Sequence, residues 1–133
     1  MGVPVRWLVD GMNVIGSRPD GWWRDRAGAA RRLTQRLADF AAATGDEVTV
    51  VFEGGVFPGL AAGRAAGIEV LYAHRHGRNA ADDRIVEVVG CDADPSSLAV
   101  VTSDRALVAR IEGLGGSTVG PGTLLRKLDQ VRP

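Results

Sequence analysis

The sequence predicts an α/β domain built on a mostly parallel sheet of four or five strands, with helices on both faces. Three observations carry that expectation. Short β-branched runs alternate with stretches of helical periodicity along the chain. The runs are near-continuously apolar rather than alternating, which is how strands covered on both faces read. Three of the four clearest runs end on an acid, and an open parallel sheet gathers its functional groups beyond the carboxyl ends of its strands.

Taken in order, the first strand is expected over Val5–Asp10 (VRWLVD), with Trp7 in the core. Asp10-Gly11 can open a turn. Trp22 and Trp23 fall in the loop entering the first helix, where one ring is expected to pack on the sheet and the other to stay partly exposed. Over Trp23–Ala43, residues Ala30, Leu33, Leu37, Phe40 and Ala41 recur at three- and four-residue steps with arginines opposite, and Gly45 supplies a stop. Val48–Glu53 (VTVVFE) is the second strand. Val56–Gly67, rich in Gly and Ala, fits either a short helix or a mobile loop. Ile68–Ala73 is the third strand, and Ala80–Val89 is a helix with Ile85, Val88 and Val89 on one side. Leu98–Asp104 (LAVVTSD) is the fourth strand. Ser103 or Asp104 can cap a helix over Arg105–Glu112, which Gly113 stops. Ser117–Gly120 is a weaker fifth strand, and a short helix around Thr123–Leu128 closes the chain. No internal repeat or linker interrupts the pattern, so one domain is expected over residues 1–133.

Composition narrows the function classes. At 133 residues and 45% hydrophobic, the chain has the size and balance of one globular domain. Sixteen basic and sixteen acidic residues cancel, which excludes nucleic-acid binding by bulk positive charge but leaves a local basic face open. The apolar stretches fall well short of the ~20 residues a membrane helix needs. Arg6 and Asp10 break the only N-terminal apolar stretch, so no secretion signal is expected. The lone Cys91 excludes an internal disulfide and fits a reducing cytoplasm. Cytoplasmic localisation is the expectation.

The acids carry the chemistry. Asp10, Glu53 and Asp104 end strands, and the pair Asp82-Asp83 opens the helix after the third strand, facing the same sheet edge. Each has a structural alternative: Asp10 can start a turn, Asp104 can cap a helix, and Asp82 can favour a helix dipole. Together they repel unless protons or cations neutralise them. Oxygen-only clusters suit hard divalent ions, Mg²⁺ or Mn²⁺. Such an ion activates water for phosphodiester hydrolysis and stabilises charge on the leaving oxygen.

Three segments in order, LVDGMNVI (Leu8–Ile15), NAADDRI (Asn79–Ile85) and VVTSDRAL (Val100–Leu107), resemble the YacP-like branch of the NYN family, itself similar to PIN domains and Mg²⁺-dependent nucleases. The resemblance runs from Trp7 to about Leu125. It implies a three-layer PIN-like fold, an acidic Mg²⁺ or Mn²⁺ cleft, and ribonuclease activity, endonucleolytic on single-stranded RNA. By that resemblance Asp10, Asp82 and Asp104 are the catalytic and metal-binding acids, with Asp83 the near alternative to Asp82. Asn13 matches the polar residue after the first acid, and Ser103 the hydroxyl residue before the last, both on the substrate side. One position departs: the second strand ends VVFE where VVFD is expected. Glu53 therefore reaches about one methylene farther, as a metal ligand or through a water or a base.

Basic residues flank the acids in two groups: Arg18, Arg24, Arg26, Arg31, Arg32 and Arg36 near the first helix, and His74, Arg75, His76 and Arg78 ahead of Asp82. Either group can be a solvated face or a set of phosphate contacts that position a strand without reading it. Arg75 and Arg78 are the favoured phosphate contacts. The histidines lack the partners of a zinc site. RNA is the expected partner, with the ribosome or another RNA-processing factor as a further candidate. The alternative to a ribonuclease is an RNA-binding module that keeps the PIN-like fold without catalysis.

Overall fold

The computed structural model describes residues 3–131. Its sheet is built around β1 (Arg6–Asp10), flanked in parallel by β2 (Glu47–Phe52) and β5 (Leu98–Val101). Outside β2 lies β4 (Ile68–Tyr72), and outside β5 lies β6 (Ser117–Val119), both parallel. β3 (Gly63–Ala65) completes the far edge, antiparallel to β4. The order is β3-β4-β2-β1-β5-β6, six strands where four or five were expected. The additional strand falls inside the Gly- and Ala-rich segment. It has no buried residue of its own and exists through its pairing with β4. Both margins of the sheet are thus three-residue strands, and Arg64, at the middle of β3, is exposed beside Glu69.

Helices cover the two faces. α1 (Gly11–Gly16), α2 (Arg26–Thr44) and α5 (Pro121–Asp129) pack on one side, around Val9, Leu33, Leu37, Val50 and Phe52. α3 (Ala80–Gly90) and α4 (Arg105–Gly113) pack on the other, around Leu8, Val51, Ile85, Val100 and Ile111. Each central strand feeds both cores with alternate residues, which is why the sequence runs read as continuously apolar. Trp7 belongs to the first core, edge-on to Phe40 at 5.9 Å, with its indole N–H donating to Asp46 Oδ2 at 2.9 Å.

Two local details differ from the sequence reading. Asp10-Gly11 does not turn; α1 starts directly at the end of β1. Gly11 makes that join possible, since a Cβ there would lie 2.5 Å from the Phe52 ring and 3.0 Å from the Val51 carbonyl oxygen. The long helix starts at Arg26 rather than Trp23. Its cap is Asp25, whose Oδ1 accepts the Gly28 N–H at 2.9 Å, and Gly45, at φ 77°, ends it. Trp22–Arg24 form a separate 3₁₀ turn. There Trp22 packs half-buried against the first core while Trp23 remains 54% exposed, the split expected of the pair.

From β1 the chain winds outward through β2 to β4, then returns through α3 to β5 on the other side of β1. The crevice beyond the carboxyl ends of β1 and β5 is therefore the switch point of the sheet, the place where open α/β folds bind ligands. No helix among the described residues is long and apolar enough to cross a membrane.

Candidate active site

Asp10 and Thr102 are the buried polar side chains among the described residues, at 6% and 2% exposure. They meet across the switch point: the Thr102 hydroxyl donates to Asp10 Oδ2 at 2.9 Å. Burial pushes the Asp10 carboxyl up to about 6, helped by the negative charges of Asp82 and Glu53. The hydrogen bonds from the Thr102 hydroxyl and the Asn13 backbone N–H offset part of that rise. Thr102 was not among the expected site residues. It stands in the TSD segment, but only the pairing of β1 with β5 reveals that its hydroxyl is spent on an acid.

Asp104 is the cap expected of Ser103 or Asp104. It caps α4, with Oδ1 accepting the Leu107 N–H at 3.1 Å, and its own N–H donates to Thr102 Oγ1 at 3.2 Å. Asp82 lies between the other acids on the first turn of α3. Partial burial and then the charge of Asp104 raise its proton affinity, with Asp83 and Glu53 adding to the rise and Arg110 opposing it. Its carboxylate accepts no hydrogen bond among the described residues.

Asp83 is turned away from this group. It accepts from Arg75 Nη2 at 2.6 Å and from Arg110 Nη1 at 2.9 Å, and these two guanidiniums hold its carboxyl below the usual range. Successive helical residues point about 100° apart, so only one of two adjacent acids can face the crevice. Arg75 is correspondingly occupied, since its other nitrogen donates to the carbonyls of His76 and Arg78. Arg78 is exposed and lines a recess with Arg26, Glu53 and Asn79. His74 pairs with Glu87 at 3.0 Å, on the outer side of α3.

Asn13 and Ser103 lie together at the rim. Asn13 Oδ1 accepts both the Ser103 backbone N–H at 2.9 Å and its hydroxyl at 3.1 Å, bracing α1 against the loop that carries Asp104. Glu53 is the first residue past β2. Its carboxylate stands 3.7 Å from the Arg26 guanidinium and is half-exposed. Half of the first arginine group is engaged within the fold: Arg18 and Arg36 bind Asp129 on α5, and Arg31 donates to the Pro58 carbonyl.

The donor set is carboxylate oxygen throughout, which suits a hard divalent cation. Asp10 Oδ2 accepts from Thr102 and Asp104 Oδ1 from the Leu107 N–H, so hydrogen bonds hold both acids in place. Among the described residues, no three acidic, histidine or cysteine side chains are gathered closely enough to enclose a metal ion.

A doubly wound sheet with acids gathered at its switch point defines the class, a PIN-like nuclease fold. The chain belongs to the YacP-like NYN domain family, whose model matches residues 7–133. Two solved structures are similar to it, both of Rae1 (YacP) from Bacillus subtilis. One, a tryptophan-to-leucine mutant, shares 27% identity at a TM-score of 0.75, covering 94% of this chain and 75% of that one. The other shares 26% identity at a TM-score of 0.74, covering 96% and 74%. No curated protein sequence matches the chain.

Proposed function

We propose that the protein is a metal-dependent ribonuclease that cuts single-stranded RNA internally at the crevice beyond β1 and β5. The observation that carries this reading is the gathering of acids at the switch point: beyond the effect of burial, the charges of Asp82 and Glu53 make Asp10 hold its proton more tightly, and those of Asp104, Asp83 and Glu53 do the same to Asp82. A fold gains nothing from such a cluster unless a cation joins it. Asp10, Asp82 and Asp104 would hold Mg²⁺ or Mn²⁺, which supplies neutralising charge and Lewis acidity toward a phosphodiester.

The chain's own residues prepare that event. Thr102 holds the Asp10 carboxylate and the Leu107 N–H that of Asp104, so both acids are preorganised. Asp83 draws Arg75 and Arg110 together and thereby ties the loop ahead of α3 to α4, holding Asp82 in its place between them. At the rim Ser103 spends its N–H and hydroxyl on Asn13 Oδ1 and so turns the Asn13 amide nitrogen out as a donor for a phosphate, and Arg78 offers charge. The RNA would be the partner in this reading, whether free or presented by a ribosome or another RNA-processing factor.

The test is cleavage of a labelled single-stranded RNA with Mn²⁺ present, for the parent and for Asp10→Asn, with affinity measured separately in EDTA. Loss of cutting in Asp10→Asn with affinity kept or raised supports the reading, because the variant removes a charge that repels phosphate. Equal residual cutting by both proteins would indicate a contaminant and leave RNA binding without catalysis as the function.

A further inference from the structure

The recess beside the acidic crevice has features that phosphodiester cleavage does not require. It measures about 430 Å³ and is lined by Arg26, Glu53, Gly54, Gly77, Arg78 and Asn79. Glu53 forms one wall with its carboxylate half-exposed and accepts no hydrogen bond; its nearest charged partner is Arg26 at 3.7 Å. Arg26 lies over the Trp22 ring at 5.9 Å, and Trp23 stands at 85° to Trp22 with its centroid 6.0 Å away. Asn79 adopts a left-handed backbone at φ 61° and precedes α3 without spending its side chain on the cap. An open carboxylate, a guanidinium steadied on an aromatic ring and an uncommitted amide thus border one recess, and the exposed Trp23 stands next to that supporting ring. Planar groups such as Arg and Trp are what unstacked bases pack against in single-stranded RNA.

We propose that this recess takes one nucleobase of the RNA, and that Glu53 reads its Watson–Crick edge in favour of guanine. The inference rests on the ribonuclease reading above. An ionised carboxylate is acceptor-only and accepts two parallel N–H bonds. Guanine alone among the four RNA bases presents two adjacent donors, N1–H and the N2 amine, along that edge. Adenine and cytosine set a ring-nitrogen acceptor beside their amine, and uracil flanks its single N–H with two carbonyls, so each turns a lone pair toward the carboxylate. Glu53, one methylene longer than the aspartate expected there, lines this recess while its charge still acts on Asp10 and Asp82. Arg26 supplies the flat face, and Arg78 the charge for the adjoining phosphate.

The chemistry also fixes how the preference changes on mutation. Glu53→Gln exchanges one acceptor oxygen for a donor, and an amide side chain matches the donor–acceptor edge of adenine. The measurement is equilibrium binding in EDTA of four uridine oligoribonucleotides that differ at one central position, carrying guanosine, inosine, adenosine or uridine. The parent should bind the guanosine strand about tenfold more tightly than the adenosine strand, the low end for a bidentate contact because the site is half-open. Inosine, which keeps N1–H but lacks the amine, should fall between. Glu53→Gln should erase or invert the guanosine–adenosine ratio, whereas a purely metal-binding Glu53 would leave the ratio untouched without metal. Equal binding of all four strands by the parent, or an unchanged ratio in Glu53→Gln, overturns the base-reading proposal and leaves the ribonuclease reading standing. If the parent binds none of the strands, both readings fall.

Discussion

Thr102 and Asp10, 92 residues apart in sequence, are joined by a buried 2.9 Å hydrogen bond from the threonine hydroxyl to Oδ2 of the acid. The same hydroxyl accepts the N–H of Asp104 at 3.2 Å, so one side chain serves two of the crevice acids. Thr102→Val keeps the shape but strands both partners. It should destabilise the protein by about 1–3 kcal/mol, the usual penalty for an unsatisfied buried polar group, and Thr102→Ser should recover most of the loss. Urea denaturation of the three proteins checks this.

A second expectation concerns pH. The Asp10 carboxyl is raised to about 6 in the metal-free fold, above its value in the unfolded chain. A group raised in this way contributes stability that is complete below the unfolded value near 4 and is lost as pH rises through about 6. Asp10→Asn carries no such charge. At pH 8 it should therefore be more stable than the parent by roughly 2–3 kcal/mol, about two units at 1.36 kcal/mol each. At pH 3.5 the two should converge. A gap that is independent of pH would exclude burial of charge as its origin.

Metal should act in the opposite direction. A divalent cation that binds only the folded state adds about 2.7 kcal/mol at one hundred times its dissociation constant, so millimolar Mn²⁺ should raise the melting temperature of the parent. Asp104→Asn still accepts the Leu107 N–H and should keep its cap, yet lose most of the Mn²⁺ response. An unmoved melting curve in the parent would sink the metal site.

The two favoured phosphate arginines should also separate. Arg75 is held by Asp83 and two backbone carbonyls, whereas Arg78 is exposed. Replacing Arg78 with alanine should weaken RNA binding whatever the sequence and reduce the log–log salt slope by about 0.7, the single-strand value per phosphate contact. Arg75→Ala should change the slope less. Fluorescence anisotropy across a salt series distinguishes them; equal effects would mean that Arg75 leaves Asp83 when RNA binds.

How much of this was legible in the sequence depended on whether a residue's role was local. β1, β2, β4 and β5 announced themselves because both faces are buried, and Asp10 and Asp104 followed from their ends. α1 was hidden: six residues bounded by glycines read as a turn, and only the burial of Val14 and Ile15 makes them a helix. β3 was hidden for the opposite reason, since Gly63, Arg64 and Ala65 bury nothing and take their conformation from β4. Asp82 and Asp83 stood as alternatives, and the direction each faces on α3 distinguishes them. Thr102 and Arg110 escaped notice because their partners arrive from distant parts of the chain.

The two three-residue margins of the sheet bear on how the protein behaves in a crowded solution. A long, flat outer strand is a template for strands from other chains, and fibrillar association starts at such places. Here each margin offers only a few unpaired backbone groups, and β3 sets the Arg64 cation in the middle of its own. The strands rich in valine, those with the strongest tendency to aggregate, are all interior. The sheet is thereby shielded from growing edge to edge, so its most adhesive segments become available to other chains only when the molecule unfolds.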